Sequence, residues 1–288
     1  MHEAEDGGLV TARFLATVDA STGLIEYYDT AQSQTYYIVG YWTDIDFTET
    51  WIDLNVIKAD ESTWVDRNLF TGDPSIPKGS VCLASLVNRS AGNEYNVGVR
   101  TDGCMFGEFV RIIPIHEAEG GGVNALSMFV KTSVADGIIE IWCEDEAPDC
   151  SVIIQGYFDS NMDFEELFTL KQVTVSNVWQ EFDLTGDLDQ DGRVADFVLR
   201  HVDPDVTAFL GVRGGDSSLN RYINEHESEG DGHTGFSMSA QSDADGIIDL
   251  YAEKWLAEAF HLTGYFKFEI PIVAPTVTTQ AATGIGYD

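Results

Sequence analysis

Apolar and polar residues alternate, or run apolar for a few positions, in short stretches along the whole chain, as in Val10 to Val18, Leu24 to Tyr28, Tyr36 to Trp42 and Trp51 to Val56. The same texture returns in Ser62 to Leu69, Val81 to Val87, Tyr95 to Arg100, Leu126 to Thr132, Ile138 to Trp142 and Ser151 to Phe158. It continues through Leu170 to Val175, Val178 to Leu184, Val194 to Val202 and Thr207 to Val212. These stretches are rich in β-branched and aromatic residues and are broken by Gly, Asp and Asn, which predicts strands. Ala252 to Phe260 has a helical composition, but its place copies a hairpin found twice earlier, so a strand pair is expected there too.

The pattern is a repeat. His116-Glu117-Ala118-Glu119-Gly120-Gly121-Gly122 has counterparts beginning at His2 and His226, spaced by 114 and then 110 residues. Each is followed by an Asp/Gly turn ending in Gly-Leu-Ile-Glu or Gly-Ile-Ile-Glu/Asp, at Gly23, Gly137 and Gly246. Gly-Tyr-aromatic then closes each block, at Gly40, Gly156 and Gly264. A second block lies between these and occurs twice: Asp46-Phe47 matches Asp163-Phe164, Trp64 matches Trp179, and Gly98-Val99-Arg100 matches Gly211-Val212-Arg213. A period near 110 residues is that of a domain, well above a solenoid unit. The chain therefore divides into a partial repeat over 1–42, two units over 43–158 and 159–268, and a linker or start of a further domain over 269–288. Seven or eight short strands per unit predict an all-β protein of tandem jelly-roll-like β-sandwiches. The orphan block at the N-terminus reads as the end of a truncated array, or as a segment that borrows strands from a neighbouring subunit. Its apolar residues Leu9, Val10, Ala12, Phe14, Leu15 and Ala16 need cover from another chain or from the neighbouring unit.

Charge narrows the partners. With 49 acidic and 15 basic residues the net charge is −34, which repels nucleic acid and anionic membrane surfaces. No stretch has the length and apolarity of a membrane helix, so membrane insertion is not expected. A surface this acidic suits a protein held at high density or in salt, where charge is screened.

Four cysteines are too few for a disulfide scaffold. Cys143 and Cys150 flank a turn, and the matching positions in the other copies hold Asp29 with Gln34 and Ala252 with Glu258, so the pair is present together or not at all. A local disulfide, implying an oxidising milieu, and two unpaired thiols are both open. The clearest metal candidate is Asp187-Leu188-Asp189-Gln190-Asp191-Gly192, with Asp196 beyond it. Carboxylates at alternate positions before a glycine match the first half of a Ca²⁺-binding loop. Val198 stands where the loop's closing glutamate belongs, and the alternative is an acidic turn. Glu117 and Glu119 beside His116 carry groups suited to acid-base work or to a cation. Their repetition in three copies favours a structural role instead, with the glutamates pairing Arg100 or Arg213 or capping backbone amides in the glycine turn, and no enzyme activity is expected.

The landmarks over residues 2 to 266, Gly-Val-Arg before His-Glu-Ala-Glu-Gly-Gly-Gly and then Gly-Ile-Ile-Glu and Gly-Tyr-Phe, resemble an uncharacterised β-sandwich repeat of phage and environmental viral structural proteins. Residues 275 to 288 are similar to the opening of fibronectin-III-like repeats in modular surface and virion proteins, which implies a chain that continues further. The resemblance implies a structural part of a virion, tail fibre or extracellular appendage, with copies of itself or other structural subunits as partners. The runner-up is a carbohydrate-binding or adhesive module, whose stacking platforms would come from six Trp and eleven Tyr.

Overall fold

The computed structural model describes residues 13–18, 25, 45–57, 60–72, 74–104, 111–118, 122–146, 149–158, 162–203, 206–226, 234–254 and 258–267. The partial repeat expected over 1–42, for the most part, and the linker expected over 269–288 lie outside these residues. Among the described residues, sixteen antiparallel strands form four sheets. The first eight are β1 (Phe47–Asn55), β2 (Trp64–Asn68), β3 (Val81–Asn88), β4 (Tyr95–Thr101), β5 (Ile112–Ile115), β6 (Asn124–Lys131), β7 (Ile138–Cys143) and β8 (Cys150–Phe158). The second eight are β9 (Phe164–Lys171), β10 (Val178–Asp183), β11 (Val194–His201), β12 (Ala208–Gly214), β13 (Tyr222–Glu225), β14 (Thr234–Gln241), β15 (Ile247–Ala252) and β16 (Glu258–Phe266).

The sheets of the first set run β1-β8-β3-β6 and β2-β7-β4-β5, and those of the second run β9-β16-β11-β14 and β10-β15-β12-β13. Numbered within each set, both are 1-8-3-6 facing 2-7-4-5, the strand order of an eight-stranded jelly roll. The expected fold class is therefore the observed one. Inward residues of each pair of sheets build separate cores, one including Leu86, Val99, Met128 and Ile141, the other Phe197, Leu210, Met238 and Phe260.

The repeated landmarks are the contacts that hold each sandwich. Gly156 and Gly264 lie where a Cβ would come within 2.3 Å of the Cζ of Phe47 and Phe164 respectively, so the glycine of Gly-Tyr-aromatic makes room for the ring of Asp-Phe. Gly137 and Gly246 have φ of 81° and 76°, a turn conformation that favours glycine. Arg100 lies over the Trp64 ring at 4.0 Å and donates to Glu140 at 2.8 Å, while Arg213 lies over Trp179 at 4.2 Å and donates to Asp249 at 2.8 Å. Among the described residues these arginines thus pair with the acids of Gly-Ile-Ile-Glu/Asp, while Glu119, Glu227 and Glu229 of the His-Glu motifs lie outside them. Stacking on a ring and pairing with a carboxylate both exploit the planar guanidinium.

The strand β5 and its counterpart β13, four residues each, escape the alternation pattern. Both are edge strands, and β5 carries Pro114, tolerated there because an edge has no second neighbour for the missing N–H. The stretch of helical composition ends in β16, where pairing with β11 and β9 overrides propensity.

The two cores differ at one end. Asn88 and Cys150 of the first sandwich are replaced, at the same register positions, by His201 and Glu258. Both are buried, and burial pushes the Glu258 carboxyl up to about 8, despite an amide donated by Lys254. Burial also lowers the His201 imidazole, whose Nε2 lies 2.6 Å from Val206 O. Neutral forms of both groups are therefore favoured in this layer.

Gly156→Ala is expected to cost about 1–3 kcal/mol by overpacking. In a Phe47→Ala background the same change should cost much less, because the ring it strikes is gone. Denaturant midpoints of the two single variants and the double variant check this, and simple additivity would count against the contact.

Candidate assembly interface

The two sandwiches are joined by one strand edge laid on one sheet face. Phe129 of β6 points away from its own core and is fully buried among Phe158, Phe164 and Phe266. Its ring centroid lies 4.8 Å from that of Phe266 in an edge-on geometry and 5.9 Å from that of Phe164. Such aromatic pairs add to the stabilisation from burial alone.

Beside this knob lies a buried carboxylate. Glu166 of β9 accepts from the amide of Lys131 at 2.9 Å, from the amide of Thr101 at 3.2 Å and from the Thr101 hydroxyl at 2.6 Å, all on the first sandwich. Arg111, fully buried, stands 3.5 Å from the same carboxylate. Its guanidinium donates to Val99 O and Phe129 O on the first sandwich and to Leu167 O and Thr263 O on the second. A buried charge is tolerated only with this degree of pairing, and removing one partner is expensive. Exposed pairs such as Lys131 with Asp163 ring the seam at 2.5 Å.

The same joint recurs upstream. In the sequence repeat Arg13, Leu15 and Thr17 correspond to Ser127, Phe129 and Lys131. Leu15 packs against the cluster that holds Phe47 and Phe158, the counterparts of Phe164 and Phe266. The Thr17 amide donates to Glu49 Oε1 at 2.8 Å, as the Lys131 amide donates to Glu166 Oε1 at 2.9 Å. The described part of the N-terminal block thus sits on the first sandwich as β6 sits on the second. Phe14, whose counterpart Met128 is a core residue, is 65% exposed. Arg13 also reaches past its own joint to Asp196 at 2.5 Å and Ser239 at 2.8 Å, with its guanidinium 4.6 Å from the Phe129 ring centre.

The four aspartates singled out in the sequence are dispersed among different partners. Asp187 pairs with Lys171, and Asp189 is held by Arg193 at 2.8 Å. Asp191 lies beside the Gly246 turn, its Oδ1 2.9 Å from where a Cβ of residue 246 would be. Asp196 is buried in the seam, taken up by Arg13, Ser239 and Thr263. Among the described residues, Asp66, Asp102 and Glu140 form a group whose carboxylate oxygens lie within 4.8 Å of one another, though Glu140 is already engaged by Arg100. Cys143 and Cys150 are free thiols, both buried. His116 is buried next to β5, with Nδ1 3.0 Å from Glu117 O, while Glu119 and residues 227–233 lie outside the described residues. No helix among the described residues is long and apolar enough to cross a membrane.

No protein-family model and no curated protein matches the chain. Solved structures similar to it include the STIV MCP, 10% identical over 81% of this chain and 94% of that one, with a TM-score of 0.26. The T=3 Penaeus vannamei nodavirus is 10% identical, covering 92% and 100%, with a TM-score of 0.22. The N-terminal CBM22-1-CBM22-2 tandem domain of Paenibacillus barcinonensis Xyn10C is 11% identical, covering 83% and 98%, with a TM-score of 0.19. At such scores the jelly-roll assignment rests on strand order.

Phe129→Ala is expected to remove about 3–5 kcal/mol from the seam and to split unfolding into two transitions, one per sandwich. Intrinsic fluorescence and calorimetry on the full chain check this. A single transition at an unchanged midpoint would show that the knob does not couple the two units.

Proposed function

We propose that this chain is a structural subunit of a virion, tail fibre or extracellular appendage that assembles with copies of itself or with other structural subunits, rather than a catalyst. The observation that supports this reading is that the same column of the repeat docks on the following unit twice in succession, with a backbone amide on Glu49 in one case and on Glu166 in the other. A contact that links unit to unit in one direction is the geometry from which rows are built, since head-to-tail surfaces need not close on themselves. Net charge of −34 opposes dense packing of copies, so association should strengthen as salt or added calcium screens the repulsion. Light scattering and negative-stain images of the full chain from low to high salt, with and without calcium, test this. Growth into ordered oligomers or filaments is expected, and a monomer of constant mass in every condition would end the assembly reading.

One surface favours the second reading, a glycan-binding module. Trp179, Tyr251, Gly211 and Tyr222 lie in register across all four strands of one outer sheet. Tyr222 stacks on Tyr251 at 5.0 Å, and Trp179 stands 5.4 Å from the same ring. Aromatic faces beside Arg213, Asp249 and Glu181 suit a neutral polyhydroxylated chain, which the acidic surface does not repel. Under this reading the protein is retarded in affinity gels cast with xylan or laminarin, and Tyr222→Ala abolishes the retardation. Equal mobility with and without polysaccharide would leave the aromatic row a packing feature.

A further inference from the structure

Cys143 ends β7 and Cys150 begins β8, so the two residues belong to opposite sheets of the first sandwich. Both are fully buried and lie in the same core cluster. The two thiols interact electrostatically, and the Cys150 S–H donates to Asn96 O at 3.9 Å. The second sandwich builds the same corner without sulfur, from Ala252 and Glu258 at the equivalent register positions. The jelly roll therefore does not require thiols here, and two were placed in contact across the gap between the sheets.

We propose that Cys143 and Cys150 are a disulfide-forming pair that locks the two sheets of the first sandwich together at this corner when the protein meets a small-molecule disulfide. The chemistry divides naturally between them. The S–H of Cys143 donates to Cys150, which, together with the Asp145 and Glu144 amides, holds the Cys150 thiol below its ordinary range against the effect of burial. The same contact, and burial after it, push Cys143 up. Cys150 is thus the attacking sulfur and Cys143 the resolving one, since the thiolate is the nucleophile. The Cys150 thiolate attacks one sulfur of the reagent. The reagent's S–S bond breaks, and one thiolate leaves and takes up a proton. Cys143 then loses its proton and attacks Cys150 Sγ, releasing the second thiol. The pair gives up two protons and two electrons, and the reagent gains both. The amides of Asp149 and Cys150 donate to Glu146 O at 3.1 and 3.4 Å, and the reagent reaches the Cys150 sulfur when these bonds break.

The inference is independent of the assembly reading and is tested on the full chain. The protein is incubated with oxidised glutathione, acid-quenched, unfolded, alkylated and mapped by mass spectrometry. Expected is one linked peptide pair joining residues 143 and 150, lighter by two hydrogens, with Cys82 and Cys104 still alkylated. Cys143→Ala, a change the second sandwich already carries at Ala252, should stop the reaction with glutathione trapped on Cys150. Alkylation of all four cysteines in the wild-type chain, or a link involving Cys82 or Cys104 instead, would overturn the proposal.

Discussion

A carboxylate without water must have its lone pairs answered by donors, and Glu166 finds nearly all of its donors on the neighbouring sandwich. That requirement fixes the seam. Two of the donors are backbone amides, which no side-chain movement can bring closer, so β4 and β6 must lie at one height and one angle over β9. Phe129 supplies apolar burial in that position, and Arg111 balances the charge. Neither could be moved without leaving the other's partners buried and unmet. The relative placement of the two sandwiches is therefore set by directional bonds, with the hydrophobic cluster supplying the attraction.

Much of the fold was legible because the repeat aligns residues that touch. Gly156 with Phe47, Trp64 with Arg100, and Arg100 with Glu140 are remote in sequence, yet each recurs in the second unit as a matching pair. Two copies of one architecture in one chain act as a small alignment, and the alternation of strands supplied the rest. What escaped was β9, which runs over Phe164–Lys171 where the pattern predicts a strand over Leu170 to Val175, and two short edge strands. The four residues of β5 and of β13 are too few to show a period, and β5 includes a proline whose missing donor matters only away from an edge.

The candidate site was less legible, for a physical reason. Asp187, Asp189 and Asp191 have the spacing of calcium ligands, but spacing does not reveal that Lys171 and Arg193 are close enough to take two of them. Asp196 gives even less sign of its role, because its partner Arg13 lies 183 residues away. The seam residues were similarly hidden. Phe129 reads as one more apolar position in a strand, and only its comparison with Leu15 and Ser239 shows that this column of the repeat faces outward.

That column, Leu15, Phe129, Ser239, also gives the chain unequal links. The joint at Phe129 is sealed by an aromatic cluster and a buried ion pair, and the joint at Leu15 rests on a smaller side chain with Phe14 open beside it. A subunit pulled along its length would then let go in order, the N-terminal contact first and the seam later. It would lengthen under load by undocking units before any sandwich loses a strand.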